Sequence, residues 1–138
     1  MDMSRPTSSP IGTTHPLLLV VDGDILVRTA IAEYLRNCGY KVIEAANSDE
    51  ALVILDDAGL AIDVVLSVAM IGGSMNGFAL AQYVRIHRPE LDIVLAGNLL
   101  SKAGATAELC DTGPKIARPY DPQKVVEHVK LLMRARQR

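Results

Sequence analysis

From Leu17 onward, short apolar runs alternate with segments whose apolar residues recur at helical spacing. The runs Leu17–Val21, Lys41–Ala45, Val64–Val68, Asp92–Ala96 and Lys115–Ala117 predict strands. Between the first two, Val27, Ala30, Ile31, Tyr34, Leu35 and Cys38 form one apolar stripe, and Gly39 is placed to stop that helix. A second helix opens at the cap-like Asn47, with Glu50 three residues on, and ends near Gly59. A third runs from about Asn76 to His87, with Pro89 just past its end. The segment from Leu100 to Leu109 is the weakest helix, because Gly104 inside it costs about 0.5–1 kcal/mol relative to Ala. Asp121 can cap a last helix and Pro122 suits its first position; Val125, Val126, Val129, Leu132 and Met133 make its buried stripe. Strand and helix in strict alternation predict an α/β open parallel sheet.

Composition narrows this picture. At 138 residues the length prior gives one domain, and a core of that size needs no metal or disulfide to hold it. The first 16 residues carry Pro6, Pro10, Gly12 and Pro16 among few apolar groups and predict a disordered tail, leaving 17–138 as the domain. Aromatics are 4% of the chain and Trp is absent, so the core must be aliphatic, as parallel sheets covered on both faces require. A net charge of −2 gives no electrostatic case for nucleic acid. No apolar run approaches the roughly 20 residues of a membrane span, and no signal peptide opens the chain. Cys38 and Cys110 form no metal pattern and are expected to be reduced, buried thiols in a cytoplasmic protein. His15, His87 and His128 share no ligand spacing, so no metal is expected. The basic end formed by Lys130, Arg134, Arg136 and Arg138 complements the last helix's dipole.

Three motifs taken together carry a resemblance. They are the apolar run ending in Asp22-Gly23-Asp24, the strand Val64–Val68 leading to Gly72-Gly73-Ser74-Met75-Asn76-Gly77-Phe78, and Arg118-Pro119-Tyr120-Asp121. In order and spacing the chain resembles the receiver domain of two-component response regulators, from His15 or Pro16 to about Met133. The resemblance implies a flavodoxin-like doubly wound five-stranded parallel sheet, order 2-1-3-4-5, with helices on both faces; receivers are themselves a worked example of that order. It also implies a site at the carboxyl ends of the strands, where Asp22, Gly23, Asp24, Val68, Ala96 and Arg118 would meet.

Receivers transfer a phosphoryl group to an aspartate, with Mg²⁺, a hydroxyl and a cation in support. Matched position by position, the acceptor is Val68, the second paired acid is Gly23, the hydroxyl residue is Ala96 and the lysine is Arg118. Lys115 stands where the switching aromatic is found, and Ile71 and Gly72 replace the proline after the loop methionine. The set implies a degenerate, pseudo-receiver pocket with no cofactor and no catalytic residue. A misplaced register is the alternative, but the nearest acid, Asp63, begins the strand roughly 15–17 Å from its far end. Ser67 is turned to the opposite face by strand alternation. Asp22 and Asp24 pair with Arg118 or are solvated, and Gly72-Gly73 is a flexible turn rather than an anion nest.

The expected function is a stand-alone signalling protein that works by protein–protein contact, with a histidine kinase or another signalling protein as partner. A homodimer is left open; membrane and nucleic-acid partners are not expected. An unconventional phosphoacceptor and a small-molecule sensor are the competing readings. The chain ends at its last predicted helix, so no output domain is expected. Further expectations are a cis Arg118–Pro119 bond and an association surface that includes Lys115, His128 and Leu131.

Overall fold

A computed structural model of the protein describes residues 16–97. The fifth strand, the last two helices, Cys110, Lys115, Arg118, Pro119, His128 and Leu131 lie outside the described residues. The elements within them are β1 (Leu17–Val21), α1 (Ile25–Asn37), β2 (Lys41–Ala45), α2 (Ser48–Leu55), β3 (Val64–Val68), α3 (Gly77–His87) and β4 (Asp92–Ala96). All four strands coincide with the predicted runs. They pair in parallel in the order β2-β1-β3-β4, the described part of the expected topology.

Strand β1 is central, and Leu18, Leu19, Val20 and Val21 have no exposed surface. A strand covered on both faces reads as a continuous aliphatic run for that reason. The face toward α1 is closed by Val27, Ala30, Ile31 and Leu35, the predicted stripe. Each large aliphatic side chain removed from water here contributes on the order of 1.5–3 kcal/mol. The chain leaves α1 through the buried Cys38 and Gly39, whose φ of 105° is open to glycine and strained for other residues.

Helix starts follow their caps. The Asn47 carboxamide accepts from Glu50 N, and the Glu50 carboxylate reaches back to Ala46 N at 2.8 Å. Asn76 caps α3 in the same way through Ala79 N. Helix α2 ends earlier than predicted, at Leu55 rather than near Gly59. The Asp57 carboxylate accepts from Gly59 N and its carbonyl from Leu60 N, so the chain turns there and no longer follows helical bonding.

A second correction concerns Cys38. It is buried, as expected, but it is disulfide-bonded rather than reduced. Sequence spacing does not report which thiols a fold brings within bonding reach.

Candidate functional site

Parallel pairing brings the carboxyl ends of β1, β3 and β4 side by side. Val21 is opposite Ser67, and Val68 is opposite Ala96. Asp22, Gly23 and Asp24 follow β1 directly, so five of the six predicted pocket residues gather at one end of the sheet. The sixth, Arg118, lies outside the described residues. Asp63 is at the other end, where its carboxylate accepts from Leu17 N at 2.8 Å.

The floor of this end is hydrocarbon. Val68 is 8% exposed and Ala96 3%. Ser67 is fully buried, and its hydroxyl donates to the Val68 carbonyl at 3.0 Å. The start of α3 presses on the same strand end: Gly77 N donates to the Ala69 carbonyl at 2.8 Å.

Both acids of the β1 turn are engaged by backbone. Asp24 is the N-cap of α1, accepting from Leu26 N and Val27 N at 3.1 and 3.3 Å. Asp22 is 8% exposed and accepts from Asp24 N at 2.9 Å. Sequence reasoning missed the cap although its signal was present: an acid immediately before an apolar helical stripe. As an oxygen-donor site for Mg²⁺ this end of the sheet is a poor fit. That ion takes near-octahedral oxygen ligands from converging carboxylates, whereas Gly23, Val68 and Ala96 offer no side-chain oxygen.

A cation that the sequence did not single out anchors the turn. Arg28, on α1, donates through Nη1 to the Asp22 carbonyl at 2.8 Å and through Nε to Glu44 on β2 at 3.1 Å. The two side chains are 13% and 23% exposed. Glu44 also accepts from Arg36 at 3.3 Å. Nothing in a 16-residue separation announces this pair; the packing of α1 against β2 creates it. Arg28→Ala is expected to lower stability by about 1–3 kcal/mol, since it leaves the Asp22 carbonyl unpaired and the partly buried Glu44 carboxylate with Arg36 alone. Arg28→Lys should recover only part of the loss, because an ammonium cannot reproduce the two-pronged contact. Urea unfolding of the two variants checks both expectations.

The loop after β3 is pinned to α2. Ser48, fully buried, donates its N–H to the Gly72 carbonyl and accepts from Met75 N at 3.0 Å. Asp49 accepts from Ser74 N at 3.2 Å and from Ser74 Oγ at 2.5 Å. Gly73 turns this corner with φ of 106°, and a Cβ here would clash with Ser48 Oγ. The turn expected at Gly72-Gly73 is present, but it is held by hydrogen bonds rather than flexible.

Around the hydrocarbon floor stand Ile25, Met70 and Phe78, which are 62%, 78% and 60% exposed. They follow β1 and β3 in the chain and share the carboxyl end of the sheet. Large apolar groups held in water next to a pocket are a feature of contact surfaces. Among the described residues, no group of three His, Cys, Asp or Glu side chains converges as a metal site. No described helix is long and apolar enough to cross a membrane.

Comparison with known proteins agrees with this geometry. Residues 18–130 match the response regulator receiver domain. The transcriptional regulatory protein AruR of Pseudomonas aeruginosa is 28% identical over 123 residues, covering 86% of this chain and 50% of that protein. ResD of Bacillus subtilis is 28% identical over 122 residues, covering 88% and 50%. The chain thus spans about half the length of these relatives. Among solved structures, the chemotaxis response regulator CheY4 of Vibrio cholerae shares the fold with a TM-score of 0.57 at 22% identity, over 86% of this chain and 99% of that one. A putative response regulator of Chloroflexus aurantiacus gives 0.56 at 27% identity, over 88% and 99%. With the sheet order and a match over residues 18–130 in agreement, the chain belongs to the response regulator receiver domain family of two-component systems.

Proposed function

We propose that this receiver domain has lost phosphotransfer and signals by protein–protein contact. The observation that carries the reading is the hydrocarbon end of β3: Val68 at 8% exposure, facing Ala96 across the register. Phosphoryl transfer to a side chain needs a nucleophile and offset charge at the reacting oxygens. Val68 supplies no nucleophile, Ala96 no hydroxyl and Gly23 no metal-binding carboxylate, while Asp24 serves as a helix cap. Arg118 is proposed to offset the charge of Asp22 and Asp24 without a metal. The chain acts without catalysis, in the cytoplasm, on a histidine kinase or another signalling protein. The exposed Ile25, Met70 and Phe78 support contact at this end of the sheet; Lys115, His128 and Leu131 are proposed as further contact residues.

An unconventional acceptor is disfavoured because Ser67 has no exposed surface and its hydroxyl is held by the neighbouring carbonyl. The test is intact mass after incubation with Mg²⁺ and a small acyl phosphate. An unmodified protein is expected, and a stoichiometric phosphoryl adduct overturns the proposal. Among the described residues, the Cys38 disulfide favours an oxidising setting instead. The same spectra, taken with and without reductant, show whether it forms in the purified protein.

A further inference from the structure

The far end of the molecule carries a second site that phosphorylation chemistry does not involve. A cavity of about 450 Å³ opens between the last turns of α2 and α3, lined by Leu55, Asp56, Tyr83, His87, Arg88 and Glu90, with Ala58 at its edge. That volume is in the range of ligand pockets and exceeds what a single long side chain fills. From the geometry we propose that this cavity receives an arginine side chain of a partner protein, with aliphatic residues flanking that arginine.

The aromatic wall is Tyr83 and His87, one turn apart on α3, with ring centroids 4.4 Å apart. Flat π surfaces attract a planar guanidinium, whose weak hydration makes it easier to desolvate than an ammonium. Tyr83 is held in place by a 2.6 Å hydrogen bond from its hydroxyl to Asp56 Oδ1. The same bond raises the phenol's pKa, so the ring stays neutral. The other Asp56 oxygen accepts no hydrogen bond from the described residues and supplies the anionic partner for an incoming guanidinium.

Arg88 would repel a second cation if its charge were open to the cavity. It is instead engaged on two sides: Nε donates to Glu90 at 2.6 Å and Nη1 to the Leu55 carbonyl at 2.6 Å. The Arg88 guanidinium correspondingly holds the Glu90 carboxyl below its ordinary range. With Arg88 offset by Glu90, the charge left in the lining is that of Asp56, and exposed Asp57 lies next to it in the chain. Charge complementarity therefore selects a cation.

Two exposed aliphatic groups stand one turn from lining residues, on the same two helices. Val53, 74% exposed, is one turn before Asp56 on α2, and Ile86, 66% exposed, is one turn after Tyr83 on α3. An arginine set between aliphatic residues would cover both while its head group enters the cavity. This surface is separate from the strand-end pocket and does not depend on how that pocket works.

The probe is a short capped Leu-Arg-Leu peptide, with the same peptide carrying citrulline, which keeps the shape of arginine and lacks its charge. Amide shifts of the full chain are followed by NMR during titration. The arginine peptide is expected to move the signals of Asp56, Tyr83 and His87 and to bind at least tenfold more tightly than the citrulline peptide. Asp56→Asn should reduce that preference several-fold, and Val53→Ser with Ile86→Ser should weaken both peptides alike. Equal binding of the two peptides, shifts confined to another surface, or no shift at millimolar peptide each overturns the proposal. So does an Asp56→Asn variant that keeps its fold, judged by an unchanged far-UV spectrum, and also keeps the full preference.

Discussion

Val68→Asp is expected to lower stability at pH 7 by about 2–4 kcal/mol, because it places a carboxylate in a hydrocarbon floor. The position is 8% exposed and pairs with Ala96, 3% exposed. The effect must depend on pH, and its sign follows from linkage. Burial raises the introduced carboxyl's pKa in the folded state above the ordinary value of about 3.9. Below that ordinary value the group is neutral in both states and the ionisation penalty vanishes. As pH rises toward the folded-state pKa, the unfolded chain ionises first and stability falls relative to the parent. Denaturant unfolding of both proteins at acidic and neutral pH checks this. An unchanged difference between the two pH values would mean that the position is hydrated, and the account of an apolar plug would fail. A second arm tests the residue assignments. Gly23→Asp combined with Val68→Asp should become more stable on adding Mg²⁺, because converging carboxylates restore oxygen donors and binding to the folded state alone stabilises it. If Mg²⁺ leaves the double variant unmoved, these positions do not correspond to the family's metal-binding acids.

Gly77→Val carries the other large effect, a loss of about 2–3 kcal/mol or a failure to fold. A Cβ at this position would lie 2.6 Å from the Val68 carbonyl oxygen and 2.8 Å from the Ala69 Cα and carbonyl oxygen. Those are backbone atoms, so relief requires moving either α3 or the end of β3. The hydrogen bond from Gly77 N to the Ala69 carbonyl ties the two together and leaves little room for that movement. Gly72→Ala is the matched control, since a Cβ there meets nothing within 4 Å. Thermal unfolding should separate the two clearly. Equal midpoints would mean that α3 can withdraw from the strand end at little cost, and the site would be far less rigid than its contacts indicate.

The sequence by itself determined the elements, because period and punctuation are local properties of the chain. The four described strands appear where the aliphatic runs are, α1 buries the predicted stripe, and Asn47 and Asn76 cap their helices. The end of α2 was misread because the turn at Asp57 competes with the helix through side-chain bonding that apolar periodicity does not register. Topology followed from the resemblance. Its described part could be read in the sequence because right-handed crossovers permit few alternatives.

The site was legible as a set of positions and illegible as a set of contacts. That Val68 and Ala96 end adjacent strands follows from the motifs. That Arg28 joins Glu44 and the Asp22 carbonyl does not, since the pair exists only once α1 packs against β2. The clamp of Ser48 and Asp49 on residues 72–75 is of the same kind, as is the approach of Tyr83 to Asp56 across 27 residues. Sequence fixes which chemical groups a chain owns and their local spacing. Which of them meet is decided by how sheet and helices pack, because hydrogen bonds and ion pairs act only over a few ångströms in space, whatever the separation along the chain.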